Sequence, residues 1–117
     1  MIVNYKDLEI YKRSYNLALE LHKITIEFPE KERYDLISQI RRCSKSIPTN
    51  IAEGYGRQSK EEFKRFLKIS LGSCNELQVH LDFSKDLEYI DKDIYFKLSK
   101  ENEEIGKMIY TTIKKWI

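Results

Sequence analysis

Residues 59–81, SKEEFKRFLKISLGSCNELQVHL, decide the fold of this chain. The stretch opens with Ser59 and Glu62, the S-x-x-E capping box in which two side chains satisfy free backbone donors at a helix start. Apolar residues then recur every three or four positions, the period of an amphipathic helix. The pattern predicts a long third helix over residues 60–87. Its inner face holds Phe63, Phe66, Leu67, Ser70, Cys74, Leu77 and Leu81.

The second helix is predicted to run over residues 31–55, with Pro48 inside it. A proline within a helix lacks an N–H and crowds the preceding turn, which usually produces a kink or a break. The apolar period continues in phase across Pro48, so we predict a single kinked helix. Its stripe consists of Leu36, Ile40, Cys43, Ile47, Ile51 and Gly54.

The outer two helices are delimited by caps and by a proline. Asp7 is the predicted N-cap of a first helix over residues 7–27, which ends before Pro29 because proline disfavours the α conformation in the preceding residue. Its stripe is Leu8, Tyr11, Tyr15, Ala18 and Leu21. Asp91 caps a fourth helix over residues 92–117. Its inward residues are Ile94, Leu98, Ile105, Met108, Ile109, Thr112 and Trp116.

Four helices of similar length with short connections fold most simply as an antiparallel up-down-up-down four-helix bundle. No segment alternates with a period of two, so the predicted class is all-α. At 117 residues the chain is one domain, residues 1–117. No apolar run approaches the ~20 residues needed to span a bilayer, and the start of the chain does not resemble a signal peptide. Cys43 and Cys74 lie at apolar positions, as expected for reduced thiols. We therefore expect a cytoplasmic protein without a membrane partner.

The middle of the chain is basic although the net charge is only +2. Residues 41–68 contain eight basic and three acidic side chains. If the second and third helices are neighbours, their basic stripes combine into one surface that attracts phosphates without reading sequence. The alternative is an ordinary solvated face, with Arg42 and Arg65 in ion pairs with Glu53, Glu62 or Glu76. The candidate nucleic-acid contacts are Arg41, Arg42, Lys45, Arg57, Lys60, Lys64, Arg65 and Lys68.

A second stripe on the third helix exceeds what a monomeric bundle needs. The first helix is also apolar on more than one side, and a broad apolar arc on a bundle helix favours an oligomer interface. The predicted interface residues are Phe66, Ile69, Ser73, Glu76, His80 and Phe83.

Residues suited to catalysis or metal binding are scarce. The two histidines are His22 and His80, and Glu76 precedes His80 by four residues. A di-iron bundle needs a Glu-x-x-His step on each of two helices, and no second copy exists here. The pair is therefore interpreted as a polar contact at a helix interface. We expect no metal, no cofactor and no enzymatic activity.

The motifs of the chain resemble those of a known family. Residues 39–54, QIRRCSKSIPTNIAEG, continue into residues 56–77, GRQSKEEFKRFLKISLGSCNEL, and the opening YKDLEIY of residues 5–11 extends the pattern. Together they resemble the 23S ribosomal RNA intervening-sequence proteins, also called the four-helix-bundle protein family. Cys43 and Ser70 stand where alanine is expected.

The resemblance implies an antiparallel four-helix bundle that assembles into a ring-like homopentamer and carries no catalytic residues. The family is similar to the accessory proteins of diversity-generating retroelements, which bind nucleic acid and a reverse transcriptase. The leading hypothesis is a non-enzymatic oligomer that binds RNA or DNA non-specifically, with a reverse transcriptase or another ribonucleoprotein component as a candidate partner. The alternative is a protein-interaction scaffold that binds no nucleic acid.

Overall fold

A computed structural model describes residues 4–115 of the chain. Four long helices follow one another: α1 (Glu9–Ile24), α2 (Leu36–Gly56), α3 (Lys60–Asp86) and α4 (Lys92–Lys114). The described residues contain no strand, and neighbouring helices run antiparallel. The predicted all-α four-helix bundle is confirmed. None of the helices in this part of the chain is long and apolar enough to cross a membrane.

The start of α1 differs from the prediction. Asp7 does not cap α1, because it belongs to a short 3-10 turn, Tyr5–Asp7, which Asn4 caps. The Asn4 side chain accepts from the Lys6 N–H at 2.7 Å, and the Asp7 carboxylate accepts from the Asn4 N–H at 3.2 Å. The capping box therefore belongs to this turn, and α1 begins two residues later than predicted.

The second helix begins at Leu36 and not at residue 31, because residues after Pro29 form a 3-10 turn, Glu30–Glu32. The helix then continues unbroken through Pro48 to Gly56. The prediction of one helix across the proline is therefore confirmed.

Two side chains donate hydrogen bonds to backbone carbonyls in the turn before Pro48. From the next residue, Thr49 Oγ1 donates to the Lys45 carbonyl at 2.7 Å. From α3, Ser70 Oγ donates to the Ile47 carbonyl at 2.9 Å. Pro48 removes the donor to the Ser44 carbonyl, so these two bonds are additional to the helical ones and do not replace the missing bond. The Ser70 bond ties α3 to α2 at the level of the proline.

The last two helices begin at the predicted caps. Ser59 Oγ accepts from the Glu62 N–H at 3.3 Å, and Asp91 Oδ1 accepts from the Ile94 N–H at 2.8 Å. Ile94 is exposed, so its predicted inward position is wrong, because Ile90 from the preceding loop packs into that end of the core instead. Trp116, also predicted inward, lies outside the described residues.

One hydrophobic core joins the four helices, and most of the predicted stripes contribute to it. The helices α2 and α3 pack closely at Gly54, where an added Cβ would lie 2.6 Å from Phe66 Cβ. Only glycine fits there without movement of the facing helix. The fully buried core side chains include Leu21, Ile40, Cys43, Ile47, Ile51, Leu67, Leu77, Leu81, Leu98, Ile105 and Ile109.

Candidate nucleic-acid interface

Arg57, just after α2, and Arg65, in the second turn of α3, are two of the predicted basic residues, and both are paired with acids. Arg57 Nε donates to the Glu53 carboxylate at 3.0 Å, and Arg65 Nε donates to the Glu62 carboxylate at 2.9 Å. Both guanidinium groups also lie over the Phe66 ring, at 5.1 and 4.4 Å from its centroid. The hydrogen bond from Arg65 lowers the pKa of Glu62, and the charge of Arg57 adds to this effect. We call these five residues the arginine turn.

The predicted arginines on α2 are also engaged. Arg41 Nε donates to Thr25 Oγ1 at 2.9 Å, and its Nη2 donates to the His22 carbonyl at 3.0 Å. Arg41 therefore holds the end of α1 against α2. Arg42 forms an ion pair with Glu76 and a second contact with the Gln39 side chain at 2.8 Å. In the structure, Arg42 and Arg65 form ion pairs with glutamates, which is the predicted alternative to contact with nucleic acid.

Three lysines at the start of α3, Lys60, Lys64 and Lys68, follow one another at steps of four residues and define the lysine stripe. Neither Lys64 nor Lys68 has a carboxylate within ion-pair distance among residues 4–115. Their positive charges are therefore available to a phosphate backbone, in contrast to those of the arginine turn.

The position of the lysine stripe follows from the helical period. Residues seven positions apart share a face, so Lys64 lies above Leu71, and Lys68 lies above Asn75. Leu71 and Asn75 line the groove between α3 and α4. The stripe therefore lies on the flank of α3 that borders α4.

The predicted merger of the basic stripe of α2, Arg41 and Lys45, with the lysine stripe of α3 is not the arrangement that the described residues adopt. Lys45 and Arg41 line a groove between α2 and α1, on the flank of α2 away from α3. The basic residues of the two helices also lie at different heights along the bundle. Arg42 pairs with Glu76, which lies eight residues, or about 12 Å, beyond Lys68 along α3. The helices are neighbours, but their basic flanks face different ways.

The groove between α1 and α2 has a volume of about 700 Å³ and is lined by three tyrosines, which the sequence prediction had not connected. Tyr11 and Tyr15 stack with ring centroids 5.8 Å apart, and Tyr5 meets Tyr11 edge to face at 4.9 Å. Tyr15, predicted on the inner stripe of α1, is 47% exposed. Burial raises the pKa of Tyr11, with the neighbouring tyrosines adding to the shift. Tyr5, Tyr11 and Tyr15 are close in the sequence, which is a signal that they could form a cluster. Tyr5 lies before α1, however, and the 3-10 turn brings it to the groove.

The predicted oligomer interface divides into buried and exposed residues. Phe66 and Ser73 are buried within the chain, and Glu76 and His80 are partly buried at the contact between α2 and α3. These four do not belong to one free face. Ile69 and Phe83 are 43% and 55% exposed, and Val79, which was not predicted, is 51% exposed. We call Ile69, Val79 and Phe83 the exposed apolar stripe.

Chemically reactive side chains are few and shielded. Burial raises the pKa of Cys43 and of Cys74 to about 12, so both thiols are protonated near neutral pH and are poor nucleophiles. Cys43 Sγ lies near the side chains of Glu76 and His80, whose ligand atoms all fall within 4.8 Å of one another and of the sulfur. The sequence indicates a contact between Glu76 and His80 only, because Cys43 approaches them through the packing of α2 on α3.

Comparisons with known proteins agree with the fold. A crystal structure of a protein of unknown function from the S23 ribosomal protein family of Bacteroides thetaiotaomicron is similar to this chain, with 28% sequence identity and a TM-score of 0.80. The match covers 90% of this chain and 98% of that one. No curated protein matches the chain. The family model described as 23S rRNA-intervening sequence protein matches residues 6–111. The chain therefore belongs to the 23S rRNA-intervening sequence protein family.

Proposed function

We propose that the chain is a non-enzymatic homo-oligomer, most simply a homopentamer, that binds RNA without sequence specificity through the lysine stripe. The observation that carries the proposal is the state of Lys64 and Lys68, whose charges are not matched by acids in the described residues. Lysines on a helix surface contact phosphates, and phosphate contacts give affinity without reading base edges. The family name associates its members with ribosomal RNA without naming a ligand, so RNA is the nucleic acid to test first.

A non-enzymatic role is consistent with the chemistry of the side chains. A thiol whose pKa is raised to about 12 is not an activated nucleophile, and both cysteines have this property. His22 is exposed at the end of α1, on a different helix from either cysteine, and His80, which lies near Cys43, is hydrogen-bonded to Glu76. The candidate site is thus a charged surface and not a reactive cleft.

Oligomerisation would make a small basic stripe effective. One protomer offers about three lysine contacts, which bind weakly at physiological salt. A ring places several stripes on one long RNA, so that later contacts form at high effective concentration. The exposed apolar stripe is the candidate surface for ring contacts, because its three large hydrophobic side chains are exposed on α3, with Ile69 about 15 Å along the helix from Val79.

The same apolar stripe supports a second candidate function. Ile69, Val79 and Phe83 present large hydrophobic side chains to solvent, and a scaffold that binds another protein through them requires no RNA. The two functions differ in whether the lysine stripe contributes to binding.

The test reverses the lysine stripe. We expect the triple change Lys60→Glu, Lys64→Glu and Lys68→Glu to abolish binding of single-stranded RNA in a filter-binding titration at ~50 mM salt. A matched control reverses the same number of charges at exposed positions nearer the opposite end of the bundle. It carries Lys23→Glu, Lys92→Glu and Lys100→Glu. The control is expected to retain most of the affinity. Light scattering should give all three proteins a mass near five times 14.1 kDa.

Two results would overturn the proposal. If the natural sequence does not bind RNA at this salt concentration, or if the stripe variant binds as tightly as the control, the lysine stripe is a solvated face and the scaffold function replaces RNA binding. A monomer mass at micromolar concentration would contradict the oligomer.

A further inference from the structure

We propose that Cys43, Glu76 and His80 form a binding site for a divalent transition metal ion, with Zn²⁺ the best match, between α2 and α3. The site is independent of the proposed RNA binding. Its three donors are a thiol sulfur, a carboxylate oxygen and an imidazole nitrogen, each a ligand type that zinc uses in proteins. Cys43 comes from α2, while Glu76 and His80 come from successive turns of α3.

The spacing of the donors suits a tetrahedral ion. With metal–ligand bonds of about 2.0–2.1 Å, two nitrogen or oxygen ligands of a tetrahedron lie about 3.3 Å apart. The Nε2 atom of His80 and the Oε2 atom of Glu76 are separated by 3.3 Å. Cys43 Sγ lies within 4.8 Å of a ligand atom of each residue, against about 3.6 Å required for a sulfur ligand. A shift of the sulfur by about an ångström would complete three sides of the coordination sphere.

The helices that carry the donors are held together on the side of the cluster nearer the connection between α2 and α3. One turn along α2, the Ser46 and Ser73 hydroxyl oxygens are 2.9 Å apart, and Ser70 Oγ reaches the Ile47 carbonyl. Ligands fixed on packed helices keep their geometry better than ligands on loops. The site therefore has much of its geometry before an ion enters.

Three changes accompany binding. The S–H bond of Cys43 breaks, its proton passes to solvent, and the sulfur forms the bond to the metal with no change in oxidation state. His80 Nε2, which is hydrogen-bonded to Glu76, loses its proton as the ring takes the tautomer protonated on Nδ1, and its lone pair then binds the ion. The Arg42 guanidinium, which now pairs with Glu76, gives up this carboxylate to the ion. The Arg42 side chain is 56% exposed, so it moves into water at small cost. A water molecule takes the fourth position of the tetrahedron.

The chain offers a matched control for each of two ligands. Cys74 is a second buried cysteine outside the cluster, and His22 is a second histidine on another helix. Titration of the reduced, metal-free protein with Co²⁺ reports thiolate ligation through a sulfur-to-cobalt charge-transfer band in the near ultraviolet. We expect this band at one Co²⁺ per chain. Cys43→Ser should remove it, and His80→Gln should weaken Co²⁺ binding at least tenfold. Cys74→Ser and His22→Gln should leave both unchanged.

Competition provides a readout that does not depend on replacing a buried residue. Arg42→Met removes the cation that competes for Glu76, so it should tighten Co²⁺ binding, whereas a merely structural ion pair predicts no gain. Zn²⁺ should displace Co²⁺ and raise the melting temperature of the natural sequence. The proposal is overturned if the natural sequence gives no charge-transfer band, if the band survives Cys43→Ser, or if Arg42→Met leaves the affinity for Co²⁺ unchanged.

Discussion

The arginine turn and the lysine stripe occupy overlapping parts of the sequence but have opposite electrostatic environments. In the arginine turn, Arg57 and Arg65 each meet a carboxylate at 2.9–3.0 Å and cover the Phe66 ring. On the neighbouring flank of α3, Lys64 and Lys68 meet no carboxylate within the described residues. Residues of the same formal charge thus contribute to structure in one region and remain available to a ligand in the other.

This difference shows why a count of basic residues overstates a binding surface. Of the eight basic residues predicted to contact nucleic acid, Arg42, Arg57 and Arg65 are in ion pairs with glutamates. Arginine suits such positions because its planar group bonds a carboxylate and stacks on an aromatic ring at the same time. Each lysine carries one charge on a flexible side chain, which suits contact with phosphates at many positions along a nucleic acid.

The largest effect is expected from a change that breaks the packing below the arginine turn. An alanine at Gly54 places its Cβ 2.6 Å from Phe66 Cβ, so α3 must shift and the ring beneath both guanidinium groups must move. We expect Gly54→Ala to lower the free energy of unfolding by about 1–3 kcal/mol. Gly56→Ala is the matched control, because an added Cβ there meets nothing within 4 Å. Urea denaturation of both variants checks the prediction, and equal stability of the two would refute the close approach.

A smaller effect is expected from removing one ion pair of the turn. Because Arg65 lowers the pKa of Glu62 in the folded chain, the pair stabilises the fold above the ordinary glutamate pKa of about 4.3. That contribution is lost as the pH falls through the lower folded value. Arg65→Gln should therefore be less stable than the natural sequence at pH 7, and the difference should shrink at pH 3. Urea denaturation at both pH values measures it. Lys68→Gln should show no such dependence, and a difference equally large at pH 3 would contradict the assignment.

The sequence was sufficient for the helices because the signals that set them are local. The caps at Ser59 and Asp91 and the uninterrupted period across Pro48 act within one or two turns. The errors fall at helix ends. There, Asp7 belongs to a 3-10 turn, and Ile90 from a loop occupies the place predicted for Ile94. Both depend on how the ends of the bundle close, which a pattern along one helix does not specify.

The candidate sites were harder to predict because they depend on contacts between helices. Helical periodicity placed Lys60, Lys64 and Lys68 on one stripe, but it did not fix which flank of α3 faces α4. The approach of Cys43 to His80 and the gathering of Tyr5 with Tyr11 likewise require neighbouring elements to be in place. Charge and period identify candidate residues, whereas packing decides which of them come together.

The most direct test of the proposed function compares the two regions through the salt dependence of RNA binding. One variant carries Lys64→Gln and Lys68→Gln, and the other carries Arg57→Gln and Arg65→Gln, so each loses two positive charges per chain. For single-stranded RNA, each lost phosphate contact reduces the slope of log K against log salt by about 0.7. The lysine variant should therefore lose about 1.4 from the slope for each protomer in contact, while the arginine variant keeps the natural slope. Equal changes in the two variants, or a larger change in the arginine variant, would contradict the lysine stripe as the RNA-binding surface.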